Sequence, residues 1–152
     1  MSKIKSFRGL LADGGVDTIT LHTNTGSTGY RIVKFSLMCK QPGLGNQESV
    51  VKIYKIPQTG ILTSGATIDF TDNTMLAAGI FTASTNQKTD PEDLAIIFDN
   101  EIFNQDIYVT HTDNEGSLDI NYYIELETVK LDLTENTVAT LKDIRNISRN
   151  AE

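Results

Sequence analysis

Tryptophan is absent from this chain of 152 residues, cysteine occurs once and histidine twice. A single cysteine, Cys39, excludes an internal disulfide. It ends the apolar run Phe35-Ser36-Leu37-Met38-Cys39, which predicts a buried, inert thiol rather than a nucleophile. The two imidazoles, His22 and His111, have no His-x-His, H-E-x-x-H or paired-cysteine context, so no transition-metal site is expected. No serine sits in a G-x-S-x-G elbow, and both histidines read as polar residues at strand ends. Long apolar runs are missing as well, since none approaches the roughly 20 residues of a membrane helix. The N-terminal charges lead into no apolar segment, because Leu10-Leu11 gives way to Ala12-Asp13-Gly14-Gly15. A secretory signal is therefore not expected, and folding in a cytoplasm is.

Positive charge is the next shortage. Lys and Arg number 13 against 20 Asp and Glu, for a net charge of −7 and a pI near 4.8. Phosphate recognition needs clustered cations. The densest group here, Lys3, Lys5 and Arg8, reads as a solvated, tail-like start. Neither nucleic acid nor a membrane is an expected partner. Among the acidic stretches, Asp113-Asn114-Glu115-Gly116 superficially resembles a calcium loop but lacks the EF-hand register and its distant bidentate glutamate. Asp69 with Asp72, and Asp90 with Glu92 and Asp93, read as turn formers or solvated loops. Carboxylate pairs suited to glycoside hydrolysis arise by chance among so many acids, and a tryptophan platform for a sugar is lacking. Gly14-Gly15 is followed by no Lys-Ser/Thr and opens no helix, so it is not a phosphate cradle. No catalytic, cofactor-binding or metal-binding residue is assigned and no cofactor is expected. The chain reads as a structural or binding component, not an enzyme.

What the sequence does carry is strand. Val16 to Leu21 alternates and is rich in β-branched residues. After a turn cluster over 23–29, Tyr30 to Lys40 reads as a long strand. Its apolar register moves from Tyr30 and Ile32 to Val33, Phe35, Leu37 and Cys39, which predicts a bulge near residues 32–33. Gln41 to Asn46 is turn chemistry. Glu48 to Ile56 follows, with Val51 and Ile53 facing one way and Val50, Tyr54 and Ile56 the other, until Pro57 ends it. A short strand is expected over Ala66–Phe70, then one or two helical turns over Met75–Phe81, capped by Asp72 or Asn73. Residues 82–93 read as an exposed loop and Leu94–Phe98 as a strand. Asp106–Thr112 and Leu118–Lys130 read as a hairpin joined through Asp113 to Gly116. In the last strand Leu118, Ile120, Tyr122, Ile124 and Leu126 share one face.

The period then changes. Val138, Leu141 and Ile144 at helical spacing predict an amphipathic C-terminal helix over 134–147, with Asp132 and Glu135 at capping-box spacing and residues 148–152 as a frayed tail. One domain over 1–152 is expected. Its fold class is all-β: a β-sandwich, with the jelly roll as one form of it, carrying the short internal helix and the C-terminal one. Hydrophobic content of 39% is lean, which suits a thin two-layer protein or a subunit that completes its burial against a partner. The apolar pairs Ile61-Leu62 and Ile80-Phe81 are expected to be exposed and to support self-association.

Two stretches carry a family likeness. One runs from Phe7-Arg8-Gly9-Leu10-Leu11-Ala12-Asp13-Gly14-Gly15 through Thr28-Gly29-Tyr30-Arg31-Ile32-Val33-Lys34-Phe35. The other is Ile97 to Thr110, continuing into Asn121-Tyr122-Tyr123-Ile124-Glu125-Leu126-Glu127 and 137–146. The pattern resembles small, mostly uncharacterised virion structural proteins of marine tailed bacteriophages. The resemblance implies a capsid-associated or decoration protein that assembles with itself and with other virion proteins in the bacterial host cytoplasm, and that ends in the virion. A tail or fibre module recognising a host surface glycan is the alternative. The family has no defined active site, so no residue role is carried over.

Overall fold

The computed structural model describes residues 3–21, 27–42, 44–58, 66–83, 92–98 and 101–131. Eight strands run through them: β1 (Ile4–Leu11), β2 (Val16–Ile19), β3 (Thr28–Cys39), β4 (Gln47–Tyr54), β5 (Met75–Ala83), β6 (Glu92–Ile97), β7 (Ile107–Asp113) and β8 (Ile120–Lys130). They form two antiparallel sheets, ordered β1-β8-β3 and β2-β7-β4-β5-β6. The architecture is mainly β and sandwich-like, with no helix among the described residues. The predicted helix over 134–147 and the tail after it lie outside the described residues, as do His22 and Ile61-Leu62.

Alternation positions the core. Ile120, Tyr122, Ile124 and Leu126 of β8 are all buried, while the residues between them are half-exposed. They meet Phe7 and Leu11 of β1 and Ile32, Phe35, Leu37 and Cys39 of β3 across the ladders. The opposite sheet contributes Val51, Ile53, Leu76, Ile107 and Val109 to the same cluster. Each fully buried aliphatic side chain contributes about 1.5–3 kcal/mol relative to exposure. The bulge expected in β3 is present, because the pairing with β8 shifts between Ile32 and Lys34 and leaves Val33 as the extra residue. Cys39 is buried, as its run predicts.

Several expectations fail, each for a physical reason. The predicted helix over Met75–Phe81 is strand β5, hydrogen-bonded to β4 on one side and β6 on the other. Its run Met75-Leu76-Ala77-Ala78 is buried on both faces, and a strand covered on both faces has no alternation to display. Phe81 points into the core and Ile80 is half-buried, so this pair is not an exposed patch. Ala66–Phe70 forms no strand. The carboxylate Oδ1 of Asp69 accepts from the Thr71 N–H and hydroxyl, and Asp72 repeats this with Thr74, so two consecutive side-chain turns occupy the segment. The tail-like start is strand β1, paired along its length with β8, although Lys3, Lys5 and Arg8 are exposed as expected. The exposed loop expected over 82–93 loses both ends to β5 and β6.

A further one concerns β7 and β8, which are not a hairpin. β7 pairs with β2 and β4, while β8 pairs with β1 and β3. The turn between them crosses from one sheet to the other, held by the Asp113 carboxylate described below.

Candidate functional site

Among the described residues, groups of polar side chains are built into the fold and shallow depressions mark its surface. Ser49 of β4 and His111 of β7 project into the sandwich beside Val51, near the turn that links β1 to β2. His111 Nδ1 lies 3.1 Å from the carbonyl oxygens of both Leu11 and Ala12. Two acceptors facing Nδ1 place the proton there, which leaves Nε2 as the acceptor for the Ser49 hydroxyl at 2.8 Å. Gln47 Nε2 donates to the same Ser49 oxygen at 2.8 Å and to the Asp119 carbonyl at 2.9 Å. A serine hydrogen-bonded to an oriented imidazole has the polarity of a nucleophile and its base. Here both residues are 0% exposed, so no substrate reaches the pair. It works as a latch between β4, β7 and the β1–β2 turn. The strand-end reading of His111 is corrected accordingly, since it lies within β7 and is fully buried.

Asp113 ends β7 with a buried carboxylate. It accepts from the backbone N–H groups of Glu48 at 3.1 Å, Glu115 at 3.0 Å and Leu118 at 2.9 Å. Burial pushes its carboxyl up, but the N–H groups of Leu118, Glu48, Glu115 and Gly116 outweigh burial and hold it below the ordinary aspartate value. The oxygens that a calcium ion would use are thus turned to the chain's own backbone, and the Asp113-Glu115 stretch is a corner. Among the described residues no group of three His, Cys, Asp or Glu is placed to hold a metal ion. Of the remaining acidic stretches, Asp69 and Asp72 form the turns already described, and Asp90 lies outside the described residues.

Two lysines are buried where β4 ends. Lys52 Nζ donates to the Thr67 carbonyl at 2.8 Å and stands 5.8 Å over the Tyr54 ring. Burial pulls its ammonium below the ordinary lysine value, partly offset by Asp72. Lys55 pairs with Glu101, and its side chain is 1% exposed. These lysines tie the 66–74 segment and the 101–106 segment onto the sheet. Nothing in the sequence marked them, because a lysine on a strand reads as solvent-facing.

The outer face of the three-stranded sheet holds a depression of about 600 Å³ lined by Arg8, Leu10, Ser36, Met38, Asn121 and Tyr123. Tyr123 donates to Glu125 at 2.7 Å, and Lys34 Nζ stands 5.7 Å over its ring. A second depression, of about 670 Å³, opens at the end of the sandwich where β1 and β3 begin and β8 ends. Lys3, Lys5, Arg31 and Lys130 line it with Glu127, which pairs with Arg31 at 2.7 Å.

No protein-family model matches the chain, and no curated protein matches it in sequence.

Proposed function

We propose that this chain is a structural component of a tailed-bacteriophage virion, a capsid-associated or decoration protein that assembles with itself and with other virion proteins, and that it is not an enzyme. The observation that carries this reading is the strand order. β1 pairs with β8, β2 with β7 and β4 with β5, as in a ribbon of antiparallel pairs folded over itself, while β6 is hydrogen-bonded to β5 and packs across the sandwich from β3. That order supports a jelly roll, the architecture shared by viral capsid and lectin domains. The resemblance of the 7–35 and 97–127 stretches to phage virion proteins points the same way. So does the use of the polar interior, where His111, Ser49, Asp113, Lys52 and Lys55 all bond to the chain itself. Large apolar side chains remain on both outer faces, with Leu10 and Met38 on one sheet and Leu94 and Ile96 on the other. The amphipathic helix over 134–147 belongs to this proposal as a further assembly element.

The test is a negative-stain and mass-spectrometric analysis of particles assembled with a tagged copy of the chain. Incorporation at stoichiometric copy number is the expected result, and exclusion from particles sinks the reading.

The second reading, a tail or fibre module for a host glycan, is favoured by one observation: the tyrosine-centred depression around Tyr123 presents Arg8, Ser36 and Asn121 beside an aromatic ring. Glycan-array binding that Tyr123→Ala abolishes would favour it over the first.

A further inference from the structure

Strand β1 has one side without a partner strand. It pairs with β8 over all 8 of its residues with no shift of register, and among the described residues no strand pairs with its other side. One bond fixes which backbone groups face that side. The Thr128 N–H donates to the Lys3 carbonyl at 2.8 Å, and bonded and non-bonded pairs alternate along an antiparallel ladder. Lys5, Phe7, Gly9 and Leu11 therefore turn their N–H and C=O groups to β8. Ile4, Ser6, Arg8 and Leu10 turn theirs to the free side. β8 agrees from its other edge, where the Leu131 N–H donates to the Ser27 carbonyl, so its odd-numbered residues serve β3 and its even-numbered ones β1. Ile4, Ser6, Arg8 and Leu10 are all exposed, the two apolar side chains at 57% and 45%.

An open edge is a template for another strand, and folded proteins curtail such edges. Here β2 has only 4 residues and β6 only 6, while β3 is bulged at Val33 and bridged to Phe103 at Tyr30. β1 is long, straight in register and free of proline. It is also complementary to itself in one antiparallel register, with a two-fold axis at Phe7. Ile4 then faces Leu10 of the other copy and Ser6 faces Arg8, each pair exchanging N–H···O bonds through the groups that point outward. Lys5 faces Gly9, which has no side chain to obstruct it. The half-buried Phe7 meets its own copy at a non-bonded pair, where side chains approach most closely. Moving the axis to Arg8 sets two guanidinium groups directly opposite each other, which is destabilising. Moving it to Ser6 sets the exposed Ile4 against Arg8 and leaves Leu10 without a described partner.

We infer that two copies of this chain pair through β1 about a two-fold axis at Phe7, joining their three-stranded sheets into one continuous sheet. The backbone bonds of the added strand hold the contact, and the match of Ile4 with Leu10 sets its register. A contact that uses the same patch on both copies closes at a dimer. The inference rests on the self-association proposed above and names its surface.

The experiment uses the full chain in sedimentation velocity, with Ser6→Pro and Ser6→Ala as variants checked for folding by circular dichroism. Proline at this position removes an N–H that points to the free side, so the ladder to β8 keeps its bonds. Wild type and Ser6→Ala are expected to form dimers, and Ser6→Pro to weaken the dimer about tenfold or more. Crosslinking reads the register without the proline. In a Cys39→Ala background, the double variant Ile4→Cys/Leu10→Cys should oxidise to a covalent dimer, because these positions are bonded neighbours across the seam, roughly 5.5 Å apart at Cα. Ile4→Cys alone and Leu10→Cys alone should stay uncrosslinked. A dimer that Ser6→Pro leaves intact, with no crosslink in the double variant, would overturn the β1 contact and leave self-association standing on another surface. A single variant that crosslinks as readily as the double one would overturn the register and with it the inference. A wild type that is monomeric throughout would remove both the contact and the self-association, and would leave the edge to a strand of another protein.

Discussion

At the level of single residues, the fold depends on polar groups whose partners are distant in sequence. His111 and Ser49 are 62 residues apart, and His111 and Leu11 are 100 apart. No local pattern encodes such a pair, which is why the imidazole reads as a strand-end residue until the strands are assembled. Ser49→Ala leaves Nε2 of His111 and one Gln47 donor without a partner in the interior, at a cost of about 1–3 kcal/mol. Urea denaturation of the variant measures it, and an unchanged midpoint would show that the latch carries no stability. Asp113 supplies a pH dependence whose sign follows from its lowered carboxyl. A carboxylate held below its unfolded value adds stability that is complete above about pH 3.9 and is lost as pH falls through the folded value. The wild type should therefore lose stability over that acid window more steeply than Asp113→Asn, which starts less stable by about 1–3 kcal/mol near neutrality. Parallel slopes in urea midpoints taken down the acid range would contradict this. Glu101→Gln tests the buried lysine directly. Removing the carboxylate strands the Lys55 ammonium, whose side chain is 1% exposed, and breaking a buried pair in this way costs about 3–5 kcal/mol. A loss below about 1 kcal/mol would mean that Lys55 finds other solvation.

Secondary-structure elements were legible where burial is one-sided. β8 alternates because one face meets the core and the other meets solvent, and the switch of register in β3 announces its bulge at Val33. Two-sided burial hides the period, and β5 is the case in point. Its Gly79 reads as a weak helix position, yet a Cβ there would stand 3.0 Å from the Phe35 ring and 3.1 Å from Leu37, so the glycine marks where β3 presses on β5. The β7–β8 corner was illegible for another reason, since four turn-forming residues serve a hairpin and a sheet crossing equally well. Only the N–H groups gathered by Asp113 distinguish them. Gly9 offers a test of sheet packing. A Cβ at this position would lie 2.7–2.8 Å from the Tyr122 ring and hydroxyl, and that hydroxyl is held by Asp17 at 2.8 Å. Gly9→Val should displace the ring and break the bond to Asp17, so its melting temperature should fall further than that of Tyr122→Phe, which loses the bond alone. The reverse order would show that the ring has room to move.

For the whole molecule, the two-sheet architecture was legible from strand count and turn spacing, and the placement of the surface charges was not. Lys3, Lys5 and Lys130 come from opposite ends of the chain, and only the β1–β8 and β3–β8 ladders bring them to one depression. The β4–β7 ladder and the Asp113 corner gather Glu48 and Glu115 at the far end. Composition reports the net charge of −7 without its placement. The polar interior serves the fold, while apolar side chains such as Leu10, Met38, Leu94 and Ile96 remain on the outer faces. The most direct measurement is multi-angle light scattering on the purified full chain over a concentration series reaching the high micromolar range. The account predicts a molar mass that rises above the 16.7 kDa protomer. A strict monomer across the series would contradict it.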